Sequence, residues 1–132
     1  MHSMLDDYKF LIQKSPSYFI FWVAQTCNFT CDYCFNYLEN QKKKKELTLD
    51  EIDRFSKNLD HLKYVTFAGG EPFVRRDLAE IVETFVRNND LHVANVVTNG
   101  WFTDRTVEFA EKVLTKCPAL HLSINISIDG FK

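Results

Sequence analysis

The sequence predicts an α/β fold in which parallel strands alternate with helices along the chain. Two observations lead to this fold class. Short apolar segments suited to buried strands alternate with longer segments whose apolar residues recur at helical spacing. Each strand–helix–strand unit also has the length of a parallel βαβ repeat. Right-handed crossovers then place the strands side by side in a layer or barrel, in the order β-α-β-α-β-α-β.

The first repeat begins with a strand at Tyr18–Ala24, whose continuous apolar run is typical of a strand covered on both faces. Thr48 opens the first predicted helix, and Glu51 three residues later completes the pattern of a capping box. The apolar stripe of this helix consists of Leu49, Ile52, Phe55 and Leu59. Before the strand, residues 5–13 are expected to form a short helix.

The second repeat has its strand at residues 64–68, which end at two glycines. Asp77 is expected to cap the following helix, with Glu80 in the answering position of a second capping box. The apolar stripe of that helix, at clean helical spacing, consists of Leu78, Ile81, Val82, Phe85 and Val86.

The third repeat has its strand at residues 92–98, closed by the turn pair Asn99-Gly100. Thr103 is expected to cap the third helix, and Pro118 is expected to end it. One face of this helix is predicted to carry Val107, Ala110, Leu114 and Cys117.

The fourth strand, residues 121–128, differs from the others because apolar and polar side chains alternate along it. Leu122, Ile124, Ile126 and Ile128 alternate with Ser123, Asn125 and Ser127. If the apolar face packs against the helices, the polar face lines a wide, ligand-holding interior; the alternative is a polar face in water. Asp129 and Gly130 then turn the chain away, and the fourth strand is expected to leave an exposed edge.

Composition restricts the function classes. The chain has 132 residues, of which 45% are hydrophobic and 14% aromatic, which favours one domain with a core over disorder. The net charge of −2 gives no basic field for nucleic acid, and the basic run at residues 42–45 is expected to be a solvated loop. No apolar run reaches the roughly 20 residues of a membrane span, and the N-terminus lacks a secretory signal. We therefore expect a cytoplasmic protein that binds neither nucleic acid nor a membrane, with cysteines that serve as metal or redox groups.

Three of the four cysteines stand together as Cys27-x-x-x-Cys31-x-x-Cys34, directly after the first strand. Three thiolates on one loop can hold an iron–sulfur cluster, and because such clusters usually take four cysteines, one iron would keep an open position. A non-catalytic electron-transfer cluster and a zinc site completed by Cys117 are the alternatives. Cys117 precedes the fourth strand and should lie at the opposite end of the sheet, about 17–20 Å away. We therefore expect Cys117 to be a core residue.

Polar elements follow the ends of all four predicted strands. They are the cysteine loop, residues 69–72 (Gly-Gly-Glu-Pro), residues 98–100 (Thr-Asn-Gly), and Ser127 with Asp129. In parallel α/β folds ligand sites form at the carboxyl ends of the strands, so these elements are expected to meet on one face. The two glycines allow close backbone approach to a ligand. Arg75 and Arg76 are expected to be a solvated pair at the start of a helix.

The cysteine triplet, with Tyr33 before its last cysteine and Gly69-Gly70-Glu71-Pro72 after the second strand, resembles the signature of the radical S-adenosylmethionine (radical SAM) enzymes. The resemblance implies a partial TIM barrel, (βα)6, with fewer than the roughly eight strands that close a small parallel barrel. This chain would carry the first four of its strands. Residues 1–17 would be an N-terminal extension and residues 18–132 the N-terminal part of the core domain.

The resemblance also implies the chemistry of the cysteines. Cys27, Cys31 and Cys34 would ligate three irons of a 4Fe–4S cluster, and S-adenosylmethionine would chelate the fourth. An electron from the reduced cluster would cleave the cofactor to methionine and a 5′-deoxyadenosyl radical that abstracts hydrogen from the substrate. A donor such as flavodoxin or ferredoxin would supply the electron.

Five further residues receive cofactor-binding roles from the resemblance alone. Gly70 and Glu71 would meet the α-amino group of S-adenosylmethionine, and Tyr33 would lie against its adenine. Thr98 and Ser127 would contact its carboxylate or its ribose, although each could equally cap the turn that follows its strand. The substrate, a peptide or a small molecule, is not readable, since the motifs resemble both the peptide-modifying branch and the branch that includes the molybdenum cofactor enzymes.

Overall fold

The structure, a computed structural model, describes residues 9–36, 38 and 45–128. The predictions that concern residues 5–8, 42–44, 129 and 130 lie outside the described residues. A helical turn at residues 9–12 precedes the first strand. The elements that follow are β1 (Tyr18–Ala24), α1 (Leu49–Ser56), β2 (Tyr64–Gly69), a 3-10 turn (Pro72–Val74), α2 (Leu78–Asn89), β3 (Val93–Thr98), α3 (Thr103–Lys116) and β4 (His121–Ile126).

The four strands form one parallel sheet in the order β1-β2-β3-β4. In the described part of the chain β1 and β4 are the two edges, so the sheet is open, as part of a βα barrel would be. The predicted α/β class and the parallel arrangement are confirmed. β1 has the predicted bounds, whereas β4 ends at Ile126 rather than at residue 128.

The helices cover one face of the sheet. On that face, Phe21, Phe67, Val96 and Ile124 stand in one register row across the four strands. Phe85 of α2 packs on this row, with its ring centroid 5.5 Å from that of Phe21 and 5.8 Å from that of Phe67. Burying an apolar side chain of this size contributes about 1.5–3 kcal/mol, so this layer is a main source of stability.

The opposite face of the sheet carries a more polar row, formed by Ile20, Thr66, Asn95 and Ser123. Thr66 and Asn95 are buried. On β4, Leu122 and Ile124 pack against the core under the helices. Since side chains alternate along a strand, Ser123 and Asn125 face the other way. The polar face of β4 therefore belongs to the side of the sheet that would be the interior of a barrel.

The capping prediction for α1 is confirmed, the one for α2 is right in position but not in its hydrogen bonds, and the one for α3 is wrong. Thr48 and Glu51 form both bonds of a capping box. Asp77 is the N-cap residue of α2 but makes no capping bond, because Arg75 takes its carboxylate in two bonds of 2.9 and 2.7 Å. Thr103 is the first residue of α3, which has no side-chain cap.

The apolar stripe predicted for α3 is also wrong, because two of its four residues are not buried. The residues that α3 buries are Phe109 and Val113. Val107 and Leu114 are 53% and 49% exposed. Two apolar stripes run side by side on this helix, and the buried one contains Phe109 and Val113. The ring of Phe109 contacts that of Phe73 edge-on, with 5.4 Å between the ring centroids. In the described part of the chain no helix is long and apolar enough to cross a membrane.

Candidate cofactor site

A pocket of about 340 Å³ opens at the carboxyl ends of the four strands. Its volume lies in the range of small-molecule sites, roughly 300–1,000 Å³. The cysteine loop lines it after β1, Gly69 and Gly70 after β2, Thr98 and Asn99 after β3, and Ser127 after β4. The prediction that these strand ends converge on one face is therefore confirmed, except for Asp129, which lies outside the described residues.

Cys27, Cys31 and Cys34 are half-buried, and all three line this pocket. A turn holds the last two together, since the Cys34 N–H donates to the Cys31 carbonyl at 3.0 Å. The Phe29 N–H donates to Cys27 Sγ at 3.4 Å. Among residues 9–36, 38 and 45–128, no group of three or more His, Cys, Asp or Glu side chains is closed around a metal position. The donor set nevertheless fits an iron–sulfur cluster, because three thiolates on one loop are the ligand type that such clusters take.

Burial is the main electrostatic influence on Cys27. Desolvation raises the pKa of this thiol, and the hydrogen bond from the Phe29 N–H opposes that shift by favouring the thiolate. Glu71 and the two neighbouring cysteines add to the rise, because a negative charge nearby disfavours another. The thiolate is the ligand form of cysteine, so binding an iron cation would have to overcome this cost.

Cys117 does not belong to this site. It is buried at the end of α3 and lines a different pocket, together with His92 and His121 beside the amino ends of β3 and β4. The prediction that it lies at the far end of the sheet as a core residue is confirmed. A zinc site formed by all four cysteines is thereby disfavoured.

Gly69 and Gly70 are needed for packing of the backbone. Gly69 has φ +145°, and a Cβ there would lie 2.2 Å from the Ala24 carbonyl oxygen. A Cβ on Gly70 would lie 2.2 Å from the Thr26 carbonyl oxygen and 2.9 Å from the Cys27 nitrogen. The absence of side chains at these two glycines thus makes room for the start of the cysteine loop. The sequence had suggested that this room serves a ligand.

Glu71 is completely buried, although it comes directly after Gly69 and Gly70, which line the pocket. Its Oε1 accepts hydrogen bonds from the Phe73 N–H at 3.0 Å and the Thr98 hydroxyl at 2.7 Å, and its Oε2 accepts one from the Asn99 N–H at 2.7 Å. This carboxylate therefore ties the end of β2 to the end of β3. Of the residues predicted to bind cofactor or metal, it alone does not line the pocket.

Thr98, like Glu71, holds the end of β3 in place through hydrogen bonds within the protein. Its side chain is buried, its hydroxyl donates to Glu71, and the Gly100 N–H donates back to that hydroxyl at 3.1 Å. Tyr33 and Ser127, in contrast, are exposed at the pocket, Tyr33 by 69%. The tyrosine ring and the serine hydroxyl are thus accessible to a ligand.

Arg75 is a structural residue, which corrects the prediction of a solvated pair. Its side chain is only 8% exposed, and its guanidinium donates to the Val23 carbonyl at 3.1 Å and the Leu47 carbonyl at 2.9 Å. The same guanidinium binds Asp77, which lowers the pKa of that carboxyl. Arg75 thereby holds the end of β1, from which the cysteine loop departs. Arg76 is exposed, as predicted.

Asn99 and Trp101 link the strand ends to the cysteine loop, and of these two Trp101 was not identified from the sequence as part of the site. The Asn99 side-chain amide donates to Asn28 Oδ1 at 2.9 Å, and the ring of Trp101 contacts that of Phe29 edge-on at 5.6 Å. The sequence placed Asn99 at the predicted ligand edge as a turn residue, but it indicated no contact with the cysteine loop. An amide immediately after a polar strand end, at the predicted ligand edge, was the available signal.

Fold and site together define a class: an α/β half-barrel with a cysteine-lined cofactor pocket at the carboxyl ends of its strands. The family model of the Radical SAM superfamily matches residues 23–132. The chain belongs to this superfamily. Its members use a 4Fe–4S cluster and S-adenosylmethionine, and they need a source of reducing electrons.

Curated relatives match most of the chain. It is 31% identical over 122 residues to a GTP 3′,8-cyclase of Haemophilus ducreyi and 33% identical over 122 residues to that of Pasteurella multocida, covering 89% of this chain and 34% of each relative. It is 34% identical over 112 residues to the GTP 3′,8-cyclase of Tolumonas auensis, covering 82% of this chain and 31% of the relative. The chain therefore spans about a third of the length of the curated relatives it matches.

Proposed function

We propose that this chain forms the cofactor-binding part of a radical SAM enzyme. The observation that carries the proposal is the pocket in which three cysteines of one loop meet the ends of β2, β3 and β4. When bound, the cluster and S-adenosylmethionine supply a 5′-deoxyadenosyl radical that abstracts hydrogen from a substrate. An external one-electron donor, such as flavodoxin or ferredoxin, reduces the cluster.

The residues of the pocket divide into ligands and supports. Cys27, Cys31 and Cys34 would hold three irons of the cluster, and the fourth iron would be left for the cofactor. The exposed ring of Tyr33 is available to stack on the adenine, and the Ser127 hydroxyl to bind the carboxylate or the ribose.

Gly70, Glu71 and Thr98 complete the proposed binding site. Gly70 lines the pocket, and its carbonyl would accept from the amino group of the cofactor, since its N–H donates to the Ala24 carbonyl. The contacts of Glu71 and Thr98 support a different role from the one the resemblance implies. These two side chains would hold the backbone around Gly70 in position, because all three hydrogen bonds of the Glu71 carboxylate are to groups of the protein.

GTP is the first substrate to test, because the relatives are named GTP 3′,8-cyclases. The similarity covers about a third of those proteins and includes the cysteine loop. The similarity therefore supports formation of the radical from S-adenosylmethionine more directly than it supports GTP as the substrate. Peptides and other small molecules form the next set of substrates.

Anaerobic reconstitution with iron and sulfide, followed by reduction with dithionite in the presence of S-adenosylmethionine, tests the proposal. We expect iron–sulfur absorbance and the formation of 5′-deoxyadenosine, measured by liquid chromatography and mass spectrometry. A loaded cluster without 5′-deoxyadenosine would favour the electron-transfer alternative. Stoichiometric zinc without iron–sulfur absorbance would exclude both cluster functions.

A matched pair of cysteine variants separates the site from the core. Cys31→Ala is expected to abolish cluster uptake, because it removes an iron ligand. Cys117→Ala is expected to retain the cluster, because Cys117 lines a different pocket. Iron and sulfide content per chain measures both outcomes, and loss of the cluster in Cys117→Ala would contradict the assignment of ligands.

A further inference from the structure

Asn99 is placed to act on the cluster through one of its ligands. Its side-chain amide nitrogen lies 2.9 Å from Asn28 Oδ1 and 4.0 Å from Cys27 Sγ. An amide nitrogen carries two donor hydrogens. Asn28 accepts one of them, which leaves the second for the sulfur, at the outer limit of an N–H···S hydrogen bond.

The rest of Asn99 is fixed so that this nitrogen cannot turn away. Its backbone N–H donates to Glu71 Oε2 at 2.7 Å, and its Oδ1 accepts the Trp101 N–H at 3.0 Å. The carbonyl oxygen of the side chain thus faces Trp101. The amide nitrogen must then face the cysteine loop.

A donor in this position acts on the charge of a cluster. One-electron reduction by an external reductant adds one negative charge to the cluster and its thiolates, and no bond to the protein is made or broken. A hydrogen bond to a ligand sulfur stabilises the more negative, reduced form, and hydrogen bonds to sulfur are among the factors that set cluster potentials. The Phe29 N–H, at 3.4 Å from the same sulfur, is a backbone donor that no side-chain substitution removes.

We propose that Asn99 is a positioning residue that donates a hydrogen bond to Cys27 Sγ and thereby raises the reduction potential of the cluster. The inference rests on the proposed function, since it requires Cys27 to be an iron ligand. It adds a residue that acts on the cluster without binding an iron.

The test compares midpoint potentials of reconstituted proteins, measured by redox titration monitored by electron paramagnetic resonance without S-adenosylmethionine. Asn99→Asp keeps the acceptor for Trp101 but replaces the donor with a negative oxygen, and Asn99→Ala removes the donor without adding charge. We expect wild type to have the highest potential, Asn99→Ala a lower one and Asn99→Asp the lowest. Asn125→Asp is the control, because it adds the same charge on the interior face of β4 at an exposed position that does not line the pocket.

The outcomes distinguish this inference from the proposed function. If wild-type protein takes up no cluster, the proposed function fails, and the inference fails with it. If wild type is loaded but the Asn99 variants have its potential, or Asn125→Asp shifts the potential as far as Asn99→Asp, only the role of Asn99 is overturned. Loss of the cluster in both Asn99 variants, with Asn125→Asp loaded normally, would also overturn it by making Asn99 a residue that holds the loop.

Discussion

The buried carboxylate of Glu71 gives the sharpest prediction about the architecture of the site. Replacing it by glutamine preserves its size but exchanges one acceptor oxygen for a donor NH2 group. Because Oε1 faces the Phe73 N–H and Oε2 faces the Asn99 N–H, either orientation of the amide sets an NH2 group against a backbone N–H. The Thr98 hydroxyl can rotate to adapt, but a backbone N–H cannot.

The expected loss of stability follows from these contacts. A hydrogen bond to a charged group contributes about 1.5–3 kcal/mol, and a buried donor left without an acceptor costs about 1–3 kcal/mol. The neutral amide is easier to bury than the carboxylate, which offsets part of this sum. We therefore expect Glu71→Gln to lower the free energy of unfolding by about 2–4 kcal/mol.

Urea unfolding followed by circular dichroism measures this change, and Glu51→Gln is the matched control. Glu51 is only half-buried, and both hydrogen bonds from Thr48 to its side chain use one oxygen, which a glutamine in a capping box also offers. The control should unfold at nearly the same urea concentration as wild type. Amide hydrogen exchange at Asn99 gives a local readout, since its N–H loses its acceptor in one orientation of the glutamine. A Glu71→Gln protein as stable as the Glu51→Gln protein would refute the proposed role.

Two other predictions concern the surroundings of the site. Gly70→Ala would place a methyl group against the Thr26 carbonyl and the Cys27 nitrogen, so we expect a loss of about 1–3 kcal/mol in urea unfolding and lower iron uptake on reconstitution; unchanged values for both would contradict the packing argument. Arg75 lowers the pKa of Asp77, so the stability from this pair is present above the unfolded pKa of about 3.9 and is lost as the pH falls through the lower folded pKa. Thermal unfolding across this acid range should show a smaller loss on acidification for Asp77→Asn than for wild type, and equal slopes would argue against the pair.

Local sequence patterns predicted the parts of the fold that depend on local interactions. The apolar run at Tyr18–Ala24 has the bounds of β1, and the spacing of Thr48 and Glu51 forms the expected capping box. The convergence of the strand ends also followed from the sequence, because parallel connections leave little freedom in where each strand ends. The connectivity thus placed the cysteine loop beside the ends of the other strands.

For several residues the sequence predicted the position correctly but not the contacts. Asp77 has the right position for a cap, but its carboxylate is taken by Arg75, two residues before it, instead of by the helix N–H groups. Gly70 is a recognisable glycine, but its neighbour is the backbone of Thr26, far away in the sequence. Patterns in the sequence identified these residues as special, and only the packing of the chain shows what each one contacts.

Glu71 shows how much this distinction matters for function. An ionised carboxylate offers about four acceptor positions, and this one already receives three hydrogen bonds while fully buried. Because the side chain is fully buried, a direct contact between its remaining acceptor position and a cationic amino group would require the loop to open. If Glu71 supports the loop, Glu71→Gln destabilises the protein in the absence of S-adenosylmethionine. If instead it binds the cofactor, the substitution weakens S-adenosylmethionine binding and leaves the unfolding free energy of the cofactor-free protein unchanged, so the two measurements together decide between the roles.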